Sequence, residues 1–239
     1  MSLVSGPRRK SDLSHRRGFL KLGLGAGVGL LGSLTFSKAM AASCGPLTPA
    51  QTAGPFYPGE QEFHPDNDLT VIPGNPARAL GRVVYVRGRV LDANCSPIAN
   101  ATVEIWQACA SGRYNSVKDD NKAPLDPNFK YWGEAFTNQN GEYMFKTIIP
   151  GAYPADTNWV RPPHIHFKIG KLGYRELITQ MYFKGDALND VDLILNDIPA
   201  GQRDTVIVEF VPSPAGLEPN TLIGSFDIKL ENVRGAAQG

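Results

Sequence analysis

From residue 81 onward, this chain is a succession of short runs of two-residue periodicity, each closed by proline, glycine or an Asx-rich turn. That pattern leaves little room for helix. Val83, Val84, Tyr85 and Val86 lead through Arg87-Gly88-Arg89 to Val90 and Leu91, and Asp92-Ala93-Asn94 ends the run. Residues 101–107 alternate, with Val103 and Ile105 on one side and Thr102, Glu104 and Trp106 on the other. Asn138-Gln139-Asn140-Gly141 is a turn signal, after which Tyr143, Phe145 and Thr147 oppose Met144, Lys146 and Ile148 until Pro150-Gly151. Further strands are predicted over 161–167, 176–183, 205–211 and 225–230. The best helical stretch lies between Gly185 and Gly201, where Pro199 keeps it short. These runs predict an all-β chain: an antiparallel β-sandwich with an extended N-terminal arm and one short helix.

The N-terminus differs in kind. Arg8, Arg9, Lys10, Arg16 and Arg17 precede an apolar run over 20–36, followed by Ala39-Met40-Ala41. Basic, apolar and small-residue regions in that order make a secretory signal, and His15-Arg16-Arg17-Gly18-Phe19-Leu20-Lys21 resembles a twin-arginine leader. Five glycines interrupt the apolar run, which falls short of the ~20 apolar residues of a spanning helix; no stable membrane anchor is expected after cleavage. The expected organisation is a signal peptide over 1–41, an extended arm over 42–80, and a sandwich domain over 81–239, exported to the periplasm or beyond.

Of 24 Lys+Arg and 23 Asp+Glu, seven basic and one acidic residue fall in 1–41, so the remainder carries 17 against 22, about −5. A mildly acidic domain argues against nucleic acid as partner. Three cysteines follow the leader, and an oxidising compartment favours pairing. Cys44 and Cys95 both sit in turn-like polar stretches and are the expected pair, which leaves Cys109 at a strand end.

Chemistry is sparse. There is no Gly-x-Ser-x-Gly elbow, phosphate loop or Cys-x-x-Cys. What stands out is Arg161-Pro162-Pro163-His164-Ile165-His166-Phe167, which holds two of the chain's four histidines. On a strand, the two imidazoles share one face while Ile165 and Phe167 share the other. A ferrous site of two histidines and one carboxylate needs an acid close by, yet the nearest upstream is Asp156. In the arm, Thr52-Ala53-Gly54-Pro55-Phe56-Tyr57-Pro58 is either a rigid loop on the core or a pocket lining.

Several stretches in order resemble the intradiol ring-cleavage dioxygenases, in particular the iron-bearing β subunit of protocatechuate 3,4-dioxygenase. They are Trp106-Gln107-Ala108-Cys109-Ala110-Ser111-Gly112-Arg113-Tyr114, Ala123-Pro124-Leu125-Asp126-Pro127-Asn128-Phe129, Thr147-Ile148-Ile149-Pro150-Gly151-Ala152-Tyr153-Pro154, the His strand, and Leu177-Ile178-Thr179-Gln180-Met181-Tyr182-Phe183. The resemblance implies a non-haem Fe(III) held by Tyr114, Tyr153, His164 and His166. Tyrosinate oxygens are hard donors suited to the ferric state, and a cation lowers the phenol pKa far below ~10.

It also implies a catechol-type substrate, O2 as co-substrate, and a cis,cis-muconate type diacid as product. In that scheme Tyr153 is the tyrosinate that leaves the metal and takes up a proton. Arg161 stabilises charge developing on the ring, and Gln180 hydrogen-bonds substrate. Gly54, Pro55 and Phe56 resemble the pocket-lining segment of the partner α subunit, so one chain carries features of both subunits and a homo-oligomer is expected. Two departures stand out: the connection from Tyr153 to His164 is short, and Val160 intervenes between Trp159 and Arg161. The competing readings are a non-enzymatic β-sandwich binding module with an incidental metal, and a ferrous or zinc enzyme on a related scaffold.

Overall fold

The computed structural model describes residues 44–59 and 66–233. The expected leader lies outside the described residues.

Strand β1 (Val83–Asp92) is the longest because seven of its ten residues are apolar or glycine and its Val84, Val86 and Val90 are fully buried. It organises the first sheet. Along one edge it pairs antiparallel with β4 (Glu142–Ile148), and along the other it receives β11 (Leu222–Ser225) and then β12 (Ile228–Leu230). The second sheet runs β3 (Trp132–Phe136), β2 (Thr102–Trp106), β7 (His164–Gly170), β8 (Leu177–Phe183), β9 (Ile207–Val208). A small antiparallel ribbon of β5 (Tyr153–Asp156) and β6 (Trp159–Arg161) stands apart, and β10 (Phe210–Pro212) flanks β11.

Two expectations are corrected. The sheets are mixed, because β11 and β12 run parallel to β1 and β9 runs parallel to β8. Period-two alternation is the same in both directions; only long crossovers make parallel pairing possible, and their paths are a tertiary matter. In place of one helix there is a 3₁₀ turn over Ala187–Val191 and two α-helices, α1 (Leu193–Asp197) and α2 (Ala200–Arg203). Asp186 and Asp192 each cap a new start, accepting from Leu188 N (2.9 Å) and Leu195 N (3.0 Å), and Pro199 separates α1 from α2.

The core lies between the sheets. Val103 and Ile105 of β2 and Ile165, Phe167 and Ile169 of β7 meet Val84, Val86 and Phe145 in a single apolar cluster. Strand alternation therefore sends His164 and His166 to the far face of the second sheet. That face is covered. The arm runs along the edge of β8 that β9 leaves open: Gln51 N donates to Ile178 O (2.8 Å), Thr179 Oγ1 to Pro49 O (2.8 Å), and Gln180 N to Gln51 Oε1 (2.8 Å). An unpaired edge and a polar face are thus closed by one segment.

Cys44 at the start of the described arm is disulfide-bonded to Cys95, across 51 residues, and Cys109 is free and buried. Chain-entropy arguments assign a cross-link of that span about 4 kcal/mol. Reducing agent under native conditions should lower the thermal midpoint by several degrees, as should Cys95→Ser. Calorimetry with equal midpoints in oxidised and reduced samples would contradict a stabilising tether.

Candidate metal centre

Four side chains from three places meet on the covered face of β7. His164 and His166 are both 2 % exposed. His164 Nδ1 donates to Pro162 O (2.7 Å), a bond that leaves its Nε2 as an acceptor facing the site. Tyr114 Oη lies 3.4 Å from that Nε2, and the rings of Tyr114 and Tyr153 meet edge-on at 5.6 Å.

Local backbone chemistry explains the convergence of the tyrosines. Tyr114 follows the turn 109–112, and Tyr153 opens β5 after Pro150-Gly151. A Cβ on Gly112 would lie 2.2 Å from Ala152 O, and one on Gly151 would lie 2.4 Å from Gly112 N. Only glycine lets these two segments touch backbone to backbone, which they do through Gly151 N to Cys109 O (3.0 Å). The short connection to His164 is then a hairpin in which Tyr153 and Arg161 are direct cross-strand partners. Arg161 is thereby aimed at the same point, with Nη1 3.1 Å from His164 Nε2.

The second ring of contacts is aromatic. Trp106, opposite His166 in the β2–β7 register, stacks on its imidazole at 4.7 Å and 8°. Phe56 of the arm stacks on Tyr114 at 4.6 Å and meets Tyr153 edge-on at 6.1 Å. Gly54, at φ +65°, passes over His166, and a Cβ there would sit 3.6 Å from its Cε1. Pro55 is exposed between them. Gln180 is fully buried, donates its amide to Thr52 O (3.0 Å) and accepts from Tyr182 Oη (3.3 Å). Its amide is thus engaged with the arm in this structure. Beyond Phe56 and Tyr114 opens a cleft of about 660 Å³ bordered by Pro58, Ile72, Leu125, Phe129 and Trp132.

The donor set fits a hard trivalent cation. Two phenols, an imidazole whose Nε2 lone pair points inward toward Tyr114 and Arg161, and a second imidazole whose Nδ1 is buried without a partner are brought together. Donors of one metal ion are expected roughly 3 Å apart. Burial first of all holds both phenols above their usual range, with the Arg161 charge pulling the other way. They would ionise here only against a strong local positive charge. Among the described residues no three His, Cys, Asp or Glu side chains converge, so a two-histidine, one-carboxylate set has no support among them.

Residues 52–232 match a family profile described as Dioxygenase. A relative 44 % identical over 159 residues, covering 65 % of this chain and 68 % of its own length, is the protocatechuate 3,4-dioxygenase beta chain of Burkholderia cepacia. This chain belongs to the intradiol ring-cleavage dioxygenases. Catechol 1,2-dioxygenase of Candida albicans is 28 % identical over 197 residues, 77 % of this dioxygenase and 60 % of the longer relative. The dioxygenase domain of a carbohydrate-binding fusion protein from the cellulolytic bacterium Streptomyces sp. SirexAA-E has the same fold. It superposes with a TM-score of 0.58 at 26 % identity, over 78 % of this chain and 99 % of that domain.

Sequence reasoning missed four contributors to this dioxygenase site. Trp106 and Tyr182 fall in stretches that resemble the family but carry no site role there, and Gln51 and Asp192 carry no signal in the sequence. Trp159, whose place was open, lies against Arg161 with its ring centroid 5.6 Å from the guanidinium.

Burial, reinforced by the Arg161 charge, lowers the His164 pKa to about 3, and burial with the neighbouring His164 and Arg161 depresses His166 well below its usual range. Both are neutral in the folded metal-free protein, whereas the unfolded chain takes up protons below about pH 6.5. The stability tied to neutral imidazoles is complete above that pH and is lost as pH falls, by up to about 1.4 kcal/mol per unit for each ring. The thermal midpoint of metal-free protein should therefore drop between pH 6.5 and 5, where ordinary carboxylates stay ionised. A level midpoint across that window would contradict two buried neutral histidines.

Proposed function

We propose that this protein is an exported non-haem Fe(III) dioxygenase that opens a catechol-type ring between its two hydroxyl-bearing carbons. Both atoms of O2 enter the product, a cis,cis-muconate type diacid. The observation that carries this reading is the convergence of Tyr114, Tyr153, His164 and His166 on one dry face, in a chain of this family. Those four residues would hold the iron. When bound, ferric iron supplies the Lewis acidity that lets a catecholate react with O2.

The chain's own groups supply the rest. Tyr153, the cross-strand partner of Arg161 with its ring edge-on to Tyr114, is placed to hold a proton given up by the incoming catechol. Arg161, 3 % exposed, offers a fixed cation to an anionic ring where little water screens it. Phe56 and Trp106 exclude water and give the ring a flat apolar bed. Export is supported by the order of basic, apolar and small-residue regions in the first 41 residues, and by a disulfide suited to an oxidising compartment. The homo-oligomer expectation rests on the arm, which brings Gly54 and Phe56 to the site from within the same chain.

The cleft lining supports a narrower substrate reading. Among the described lining residues the cation is Lys130, and it is already paired with Asp66 and with Asp68 O (2.9 Å). A ring carboxylate would meet mainly apolar side chains and two aspartates, Asp66 and Asp126, with Asn115 and Tyr131 among the uncharged polar groups. Catechol and apolar-substituted catechols should therefore be cleaved with kcat/KM at least about tenfold above protocatechuate, since one unpaired charge placed against apolar lining costs more than about 1.4 kcal/mol. A preference for protocatechuate in oxygen-uptake assays would overturn this assignment.

Purified from iron-replete medium, the protein should be burgundy from tyrosinate-to-ferric charge transfer, carry about one iron per chain, and consume O2 with catechol. Tyr114→Phe and His166→Ala should bleach the colour and remove turnover. Colourless, iron-free protein without oxygen uptake, or a coloured and fully active Tyr114→Phe variant, would refute the reading.

A further inference from the structure

Asp192 has no part in the scheme above, yet it is the most deeply buried acid at the site, with 0 % exposure. It sits at the N-cap of α1, where Oδ2 accepts from Leu195 N at 3.0 Å. The same carboxylate takes the Arg161 guanidinium side-on: Oδ1 accepts from Nε at 3.1 Å and Oδ2 from Nη2 at 3.0 Å. Oδ1 also accepts from Trp159 Nε1 at 3.2 Å, so the indole beside the guanidinium is held by the same group. On the far side, Nη2 donates to Tyr182 Oη at 3.1 Å, and that hydroxyl accepts from Gln51 Nε2 of the arm at 2.9 Å. The nitrogen outside this clamp is Nη1, which faces His164 Nε2.

We propose that Asp192 is a positioning residue that fixes the plane of Arg161 and presents Nη1 to the reacting ring, with Tyr182 and the arm residue Gln51 as the opposing brace. This inference rests on the reading of the site as a ring-cleaving centre. The physical case is that an arginine side chain has several rotatable bonds, and a side-on carboxylate fixes its fork in one orientation. Asp192 also neutralises a cation that would otherwise be unpaired in a dry site. A charge poised for a developing anion is effective when it needs no reorganisation during the reaction. The cap on α1 is a separate duty, and the two duties can be told apart because asparagine caps a helix as well as aspartate does.

Asp192→Asn is therefore the decisive variant. It keeps shape and cap, removes the charge, and turns an amide donor toward guanidinium N–H groups. In metal-free protein, the arginine-selective reagent phenylglyoxal should label Arg161 at least tenfold faster in the variant than in the wild type, as located by peptide mass spectrometry. In iron-loaded protein, kcat should fall 10- to 100-fold while KM stays within about threefold and iron content and colour stay at the wild-type level. Asp192→Asn combined with Arg161→Lys should lose little beyond Arg161→Lys alone.

Wild-type labelling and kcat in Asp192→Asn would overturn the proposal and leave Asp192 a helix cap. Loss of activity strictly in proportion to lost iron or folded protein would overturn it too. If Asp192→Asn fails to fold, Tyr182→Phe removes the brace without touching the cap. Faster Arg161 labelling and a 3- to 10-fold lower kcat are then expected, and unchanged values would refute the clamp. A wild type without ring-cleaving activity would sink the functional reading and leave the labelling result to decide the clamp by itself.

Discussion

A polar strand face buried away from water is the condition that the rest of this site satisfies. On β7, the face opposite the core carries two imidazoles, and both are almost wholly inaccessible. Burial of polar groups is tolerated only when each finds a partner. His164 meets the Pro162 carbonyl, Tyr114 and Arg161, and His166 lies flat against Trp106. The buried and unpaired Nδ1 of His166 remains the exception that a resident cation's site would explain.

Covering that face requires chain from elsewhere. The arm supplies it, fastened by Cys44–Cys95 at one end and, further on, by one backbone bond and two side-chain bonds to the open edge of β8. Having closed the edge, it continues over His166 and ends with Phe56 against Tyr114. One segment thus completes a sheet, seals a core of aromatic rings and borders the cleft. The α1 region plays the matching part on the other side, where Asp192 brings a buried carboxylate to Arg161. A buried ion pair of this kind contributes little net stability, so a fixed orientation is the better account of its presence.

The strands were legible where the two-residue period was long. β1, β2, β4 and β8 fall within one or two residues of their expected spans, and β7 begins and ends three residues later than expected because Pro162-Pro163 lie outside it. Those that escaped are short or atypical. β3 reads Trp-Gly-Glu-Ala-Phe, β5 contains Pro154 with a bulge beside it, and β6 has three residues, too few for alternation to show. Parallel pairing escaped because it depends on crossover paths. The joint stretch of β11 and β12 is further interrupted at Phe226, whose carbonyl occupies the space that a side chain on Gly88 would need.

Which side of a strand each histidine faces, which residues form the core, and which cysteines sit in turns were all determined by the sequence itself, because these follow from local geometry and solvent preference. The two tyrosines were legible only through resemblance to a family, since nothing local distinguishes a phenol at Tyr114 or Tyr153 from any other buried tyrosine. Their meeting was decided in three dimensions, by glycines that let two turns touch and by a hairpin that set Tyr153 beside Arg161. The Asp192 clamp, the Gln51–Tyr182 brace and the seat of the arm belong to the tertiary structure alone. Their partners lie 31, 131 and 128 residues apart in sequence, and no periodicity or propensity links groups at such separations.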